Sequence, residues 1–223
     1  MKLRFFRACF VILAFLSGGG HNWSAAASPQ GEPSRPRAGL AAPTYHGGLV
    51  APPLPKPKFT LTDTSGVPFD FWPQTQGYVT LLFFGYTHCP DECPMHMANL
   101  ASSLQQLPTE VGEQVKVVFV TTDPARDSAA VLRGWLDNFD TRFIGLTGSE
   151  AAIAASQRSA YLAPANKTAH TGHDYGVNHA SFVLAYTKDN LAHVIYPGGI
   201  TAEDWAQDLP LLAKETWSSR GGT

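Results

Sequence analysis

From residue 59 onward, apolar and polar positions follow regular periods. Residues 59–62 (FTLT) and 69–72 (FDFW) alternate on either side of the turn-forming 63–66 (DTSG), which predicts a β-hairpin. Residues 78–86 (YVTLLFFGY) form an almost unbroken apolar run, as expected of a strand buried on both faces. The stretch 94–107 predicts a helix, with Pro94 near its first turn and Pro108 just beyond its end. Residues 115–122 (VKVVFVTT) predict a second buried strand. Asp127 or Ser128 can cap the next helix, whose Val131, Leu132, Trp135, Leu136 and Phe139 share one face. A short strand at 143–146, a helix at 150–159 and a polar loop at 164–178 follow. Residues 181–187 and 191–196 flank a Lys188-Asp189-Asn190 turn and predict a second hairpin. Thr201, with Asp204 three residues on, resembles a capping box and opens a last helix that Pro210 should kink or divide.

Two strand–helix steps followed by an antiparallel hairpin and a closing helix predict an α/β protein with a mixed sheet flanked by helices. The turn between the first core strand and its helix carries two cysteines, which points to a thioredoxin-like fold with an added N-terminal β-hairpin. No internal repeat is visible.

Upstream of residue 59 the pattern is different. Lys2, Arg4 and Arg7 precede an apolar stretch at 8–16, and Ala25-Ala26-Ala27 offers a small-residue cleavage site. Residues 1–27 therefore read as a secretory signal, with an uncleaved membrane anchor as the alternative. The apolar stretch is about half of the roughly 20 residues that span a bilayer. Cys9 leaves with a cleaved signal and sits in a poor lipoprotein context, because Phe6 replaces the expected branched aliphatic residue. Residues 28–58 hold eight of the 17 prolines and read as a semi-extended tether. The expected folded domain is 59–217, with a disordered tail at 218–223.

Composition narrows the partners. The 223 residues are 44% hydrophobic and 15% charged, which excludes general disorder. Residues 1–58 carry seven bases and one acid, so the remainder holds a net −8 against −2 for the whole chain. Such a domain suits cations better than nucleic acid, and none is expected as a partner. A membrane is expected only if the N-terminal segment is retained.

Cys89 and Cys93 lie in a C-x3-C turn, residues 85–94 (GYTHCPDECP), between a strand end and a helix start. Amides at a helix N-terminus favour thiolates, which can bind a soft metal or exchange disulfides. The spacing is one residue longer than the usual redox pair and leaves slack to hold both sulfurs beside one metal. An inert disulfide across this short loop is the structural alternative. A metal site needs a third ligand. His179 stands just before the 181–187 strand, which in a thioredoxin-like sheet lies close to the strand ending at the cysteines. By itself, a histidine in that position is more often structural.

These segments resemble a known family. GYTHCPDECP at 85–94, DPARDS at 123–128 and YGVNHASF at 175–182 are similar, in order and spacing, to the three signatures of the Sco/SenC family. The resemblance covers about 59–215. It implies a thioredoxin-like fold, copper as Cu(I) or Cu(II), and delivery to the binuclear copper centre of cytochrome c oxidase. It implies Cys89, Cys93 and His179 as the ligands, and Asp123 behind the ligands or at a docking surface. Asn178 is a departure, since the family usually has Asp before the ligand histidine; Ala180 is a milder one. Two thiolates and an imidazole suit Cu(I) and tolerate Cu(II), whereas structural zinc usually takes four protein ligands. Met95 and Met97 flank His96 and can pack in the helix core or offer a weak thioether ligand. His170 and His173 are an accessory copper pair or part of a solvated loop.

Two functional classes follow. One is a copper metallochaperone that meets the copper-receiving subunit of cytochrome c oxidase, and other periplasmic copper carriers, without turnover. The other is a thiol–disulfide oxidoreductase that reduces the cysteines of that subunit through Cys89 and Cys93. A peroxiredoxin-like peroxidase is disfavoured, because Thr87-His88-Cys89 lacks that family's surroundings. The expected location is outside the cytoplasmic membrane, in the periplasm or attached to the membrane's outer face. N-terminal sequencing of the exported chain is expected to begin near Ser28; an intact Met1 on membrane-bound protein would select the anchor.

Overall fold

The computed structural model describes residues 44–169, 175–215 and 217. At its centre β4 (Val79–Gly85) and β5 (Val115–Thr121) run parallel, in register from Val79 opposite Val115 to Gly85 opposite Thr121. Every residue of β4 is buried, because helices cover both faces of the sheet. The remaining strands are β1 (Gly48–Pro55), β2 (Thr60–Asp63), β3 (Pro68–Asp70), β6 (Ile144–Thr147), β9 (Val183–Tyr186) and β10 (Leu191–Tyr196). They complete a sheet of order β1-β10-β9-β4-β5-β6-β2-β3. Its β4–β5–β6 part is parallel and both flanks are antiparallel. This is the expected thioredoxin-like mixed α/β sheet, with the N-terminal hairpin β2–β3 added at one edge.

Alternation along the strands separates two cores. Leu81, Phe83, Val117 and Phe119 face α2 (Glu92–Gln106), α4 (Ala129–Asp137) and α6 (Ala202–Lys214) through Met97, Leu100, Leu132, Leu136, Trp205 and Leu209. Leu82, Phe84, Val118 and Val120 face α1 (Phe71–Thr75) and α5 (Glu150–Ser159) through Phe71 and Ile153. A short α3 (Thr109–Gly112) leads into β5. Among the described residues, no helix is long and apolar enough to cross a membrane.

Several local expectations are corrected. The tether expected over 28–58 is folded at its C-terminal end. Tyr45 is buried, and β1 pairs with β10 despite Pro52, Pro53 and Pro55. An edge strand tolerates prolines because half of its amides have no ladder partner. Phe71 and Trp72 open a helix instead of extending a strand, since Pro73 cannot donate to a ladder but fits a first helical turn. The 164–178 loop contains a hairpin, β7 (Asn166–Ala169) and β8 (Tyr175–Asn178), paired antiparallel. Val131 is exposed, leaving Leu132 and Leu136 as the buried side of α4. Helix α6 runs on through Pro210, with Leu209, Leu212 and Ala213 buried around it. Its Thr201–Asp204 capping box is present in full, and Ser128, not Asp127, caps α4.

Lys56 follows β1 into the interior and is only 2% exposed. Its Nζ donates to the Thr75 carbonyl at 3.0 Å and to Thr80 Oγ1 at 3.2 Å. Among the described residues no carboxylate forms an ion pair with it, and burial pushes its pKa down to about 8 from 10.5. A lowered lysine pKa means that the charged form costs stability, in full below the folded value. That cost is relieved as pH rises from about 8 towards 10.5. The unfolding midpoint of the wild type relative to Lys56→Met is therefore expected to rise across this window. A pH-independent difference would contradict the buried-ammonium description.

Candidate metal centre

Strand β4 ends at Gly85 and α2 begins at Glu92, so residues 86–91 must turn the chain over the end of the sheet. The turn is closed by the Cys89 amide donating to the Tyr86 carbonyl at 3.2 Å. It is tied down by Asp127, whose fully buried carboxylate accepts from the Thr87 amide at 3.0 Å and from Thr87 Oγ1 at 2.6 Å. The same carboxylate accepts from Thr121 Oγ1 at 2.6 Å, which fastens the turn to the end of β5. Gly85 leaves room for the second cysteine. A Cβ there would lie 2.8 Å from Cys93 Sγ and 2.7 Å from the Phe83 ring, closer than real Cβ contacts.

Strand β9 runs antiparallel beside β4, with Leu82 opposite Leu184. The segment preceding β9 therefore arrives where β4 ends. His179 lies in that segment, and its Nε2 is 3.6 Å from Cys93 Sγ although 86 residues separate the two. Its Nδ1 is 2.9 Å from the Ala180 carbonyl. A donor role for Nδ1 leaves Nε2 as the lone pair facing the sulfurs. Phe83 and Tyr86 meet the imidazole edge-on, with centroids 6.0 and 5.7 Å away. The two Sγ atoms and one His179 ring nitrogen lie within 4.8 Å of one another, with Cys93 buried and the other two half-buried. Among the described residues, this is the one group of three or more Cys, His, Asp or Glu side chains that could hold a metal ion.

Both cysteines are free thiols. They differ in acidity. The Cys93 thiol donates to Cys89, and this bond holds the Cys89 pKa far below the usual thiol value. His179 and the amides of Asp91 and Cys93 at the start of α2 act in the same direction. The same bond, together with burial, pushes Cys93 up. Of the two, Cys89 is the more easily ionised and lies on the more open side.

The other residues singled out in the sequence fall in different places. Asp123 is fully buried and belongs to no ligand group; it accepts from Tyr175 Oη at 2.8 Å and pairs with Arg126. The Arg126 guanidinium lies over the Tyr175 ring at 3.8 Å and nearer the site over Tyr86 at 5.7 Å. Tyr175 opens β8, the strand that leads to His179. Asn178 is exposed at the end of β8. Met97 is fully buried in the core, and Met95 is 42% exposed. His170 and His173 lie outside the described residues, as do the signal segment, Cys9 and the tail at 218–223.

Sequence reasoning missed Gly85, Asp127 as the anchor of the turn, and His96. The ring of His96 is buried against Phe83, with Nε2 3.3 Å from the Ser181 carbonyl. The local helix pattern offered Asp127 only as a candidate cap.

A family model described as SCO1/SenC matches residues 51–214. The chain is 36% identical over 124 residues to a putative copper-binding protein of Stutzerimonas stutzeri, which is 56% of this chain and 60% of that one. It spans about half to three fifths of the length of the curated relatives it matches. Its fold is similar to that of apo Sco1 from Thermus thermophilus, at 30% identity and TM-score 0.68, over 77% of this chain and 99% of that one. It is also similar to Bradyrhizobium japonicum ScoI with copper bound, at 31% identity and TM-score 0.63, over 71% and 99% of the two chains.

The unequal thiols make a direct prediction. With limiting iodoacetamide at mildly acidic pH, mass mapping of the reduced protein is expected to find Cys89 alkylated first and Cys93 protected. Equal labelling, or Cys93 first, would reverse the assignment.

Proposed function

Because the chain belongs to the SCO1/SenC family, we propose that it is a copper metallochaperone that carries the ion on Cys89, Cys93 and His179 and delivers it to the binuclear copper site of cytochrome c oxidase. The observation that carries this reading is the gathering of two sulfurs and one imidazole nitrogen within 4.8 Å at the end of the sheet. The donor set fits the cargo. Thiolates are soft ligands suited to Cu(I), and imidazole extends the set towards Cu(II). A fourth protein ligand of the kind structural zinc takes is absent from this group among the described residues. The copper-binding relative and the copper-bound neighbour support the same reading.

In this reading each residue has a distinct task. Cys89, half-exposed and favoured as the thiolate, meets the incoming ion first. Cys93, held against β4 in the space left by Gly85, gives up its proton as the second sulfur binds. His179 closes the set from the link that leads into β9. A reversible Cys89–Cys93 disulfide removes both thiolates and so blocks loading. The ligands lie at the rim of the fold, where a receiving subunit can approach them. We place the working protein outside the cytoplasmic membrane, with the segment upstream of the folded domain holding it near its partner. Asp123 acts behind the ligands, through Tyr175 and Arg126, and not as a ligand.

One observation favours a second reading, a thiol–disulfide oxidoreductase acting on the receiving subunit. The thiols are free and unequal, as an exchanging dithiol needs. His179→Ala separates the two. A carrier loses Cu(II) affinity most, keeps part of its Cu(I) binding through the sulfurs, fails in delivery, and exchanges disulfides at a near-normal rate. The check is to measure both copper affinities and the exchange rate on the same variant. Copper binding unchanged in both oxidation states would remove His179 from the site and leave the oxidoreductase.

A further inference from the structure

His179 sits in a four-residue link, 179–182, without regular secondary structure, between β8 and β9. A link of that kind fixes its ends and leaves its middle free to turn. The aim of an imidazole on it then depends on what grips the middle. Asn178 and Val183 belong to the flanking strands. Within the link, among the described residues, the side chain that reaches a backbone group from another element is His96, whose Nε2 is 3.3 Å from the Ser181 carbonyl.

His96 is placed for this. It lies on α2 three residues after Cys93, is 2% exposed, and packs its ring on Phe83 at a centroid distance of 4.9 Å. Phe83 in turn meets the His179 ring edge-on at 6.0 Å. The helix that carries Cys93 thus touches the histidine's segment twice, through a backbone carbonyl and through a shared aromatic neighbour. A buried imidazole is costly unless its polar atoms are used. The other polar atom close to Nε2 is Glu92 Oε2, at 3.9 Å, which is beyond hydrogen-bond distance. Burial keeps His96 below the ordinary histidine pKa, so the ring is a neutral single donor.

We propose that His96 is a positioning residue for His179: by holding the Ser181 carbonyl it locks the 179–182 link to α2, so that the imidazole nitrogen keeps its distance from Cys93 Sγ whether or not copper is present. The proposal rests on the copper reading above for its consequence, but its geometry concerns the metal-free chain.

The test compares wild type, His96→Leu and His96→Gln in the full chain. Leucine keeps the bulk against Phe83 and removes the donor, whereas glutamine restores a donor from the same helical position. In the metal-free proteins, amide hydrogen exchange at residues 180–182 is expected to quicken in the leucine variant and to recover in the glutamine variant. In Cu(II) titrations, the leucine variant is expected to bind about tenfold more weakly, the lower end of what loss of a group orienting a metal ligand costs. Its thiolate-to-Cu(II) absorption band should also shift, with Cu(I) affinity nearly unchanged, and glutamine should reverse both Cu(II) effects. Exchange, affinity and absorption band all unchanged in the leucine variant would overturn the proposal. So would a glutamine variant no better than leucine, with both simply less stable, since that is the behaviour of a core filler. If the wild type itself takes up no copper, the functional reading fails, and the metal-free exchange comparison still decides the positioning role.

Discussion

The site exists because two strands from distant parts of the chain lie side by side and point in opposite directions. β4 delivers the cysteine turn at its C-terminal end, and β9 receives the chain from His179 at its N-terminal end. Antiparallel neighbours place those two ends at the same rim of the sheet. A parallel pairing would leave the histidine at the far rim, more than a strand length away. The gathering of two cysteines and a histidine is therefore a property of sheet order before it is a property of any side chain. The two-sided burial of β4, β5 and β9 makes that order difficult to change.

On this frame the turn is stiffened by carboxylates that lie outside the Cys89–Cys93–His179 group. Asp127 and Asp123 are both fully buried, and each has its hydrogen bonds filled by neighbouring hydroxyls, amides or an arginine. A buried charge so surrounded resists movement, because any shift leaves it without partners in a medium of low polarity. One carboxylate grips the cysteine side of the site, and the other grips β8 on the histidine side.

What the sequence made legible follows from how many faces each element buries. β4 and β5 read clearly because two-sided burial leaves an unbroken apolar run, and α5 has the expected bounds of 150–159, capped by Ser149. Cys89 and Cys93 read as a pair from spacing alone. His179 did not, since no local pattern links residues 86 apart, and only the family signatures singled it out. β1 was hidden by its own prolines, and β7–β8 by polar residues that alternate with nothing. Pro210 misled in the other direction: the burial around it outweighed the break that its missing amide suggests. Asp127 read only as a helix cap, and its anchoring of Thr87 and Thr121 comes from tertiary contacts that no local pattern shows.

The prolines of β1 have a further effect at the outer margin of the sheet. That strand is a terminal member of the order, so its unpaired side faces away from β10. Three of its eight residues bring no amide hydrogen. A strand from another molecule would find few donors with which to extend the ladder there. Self-association by strand addition is discouraged at this margin, so molecules crowded together can remain separate while the cysteine rim stays open.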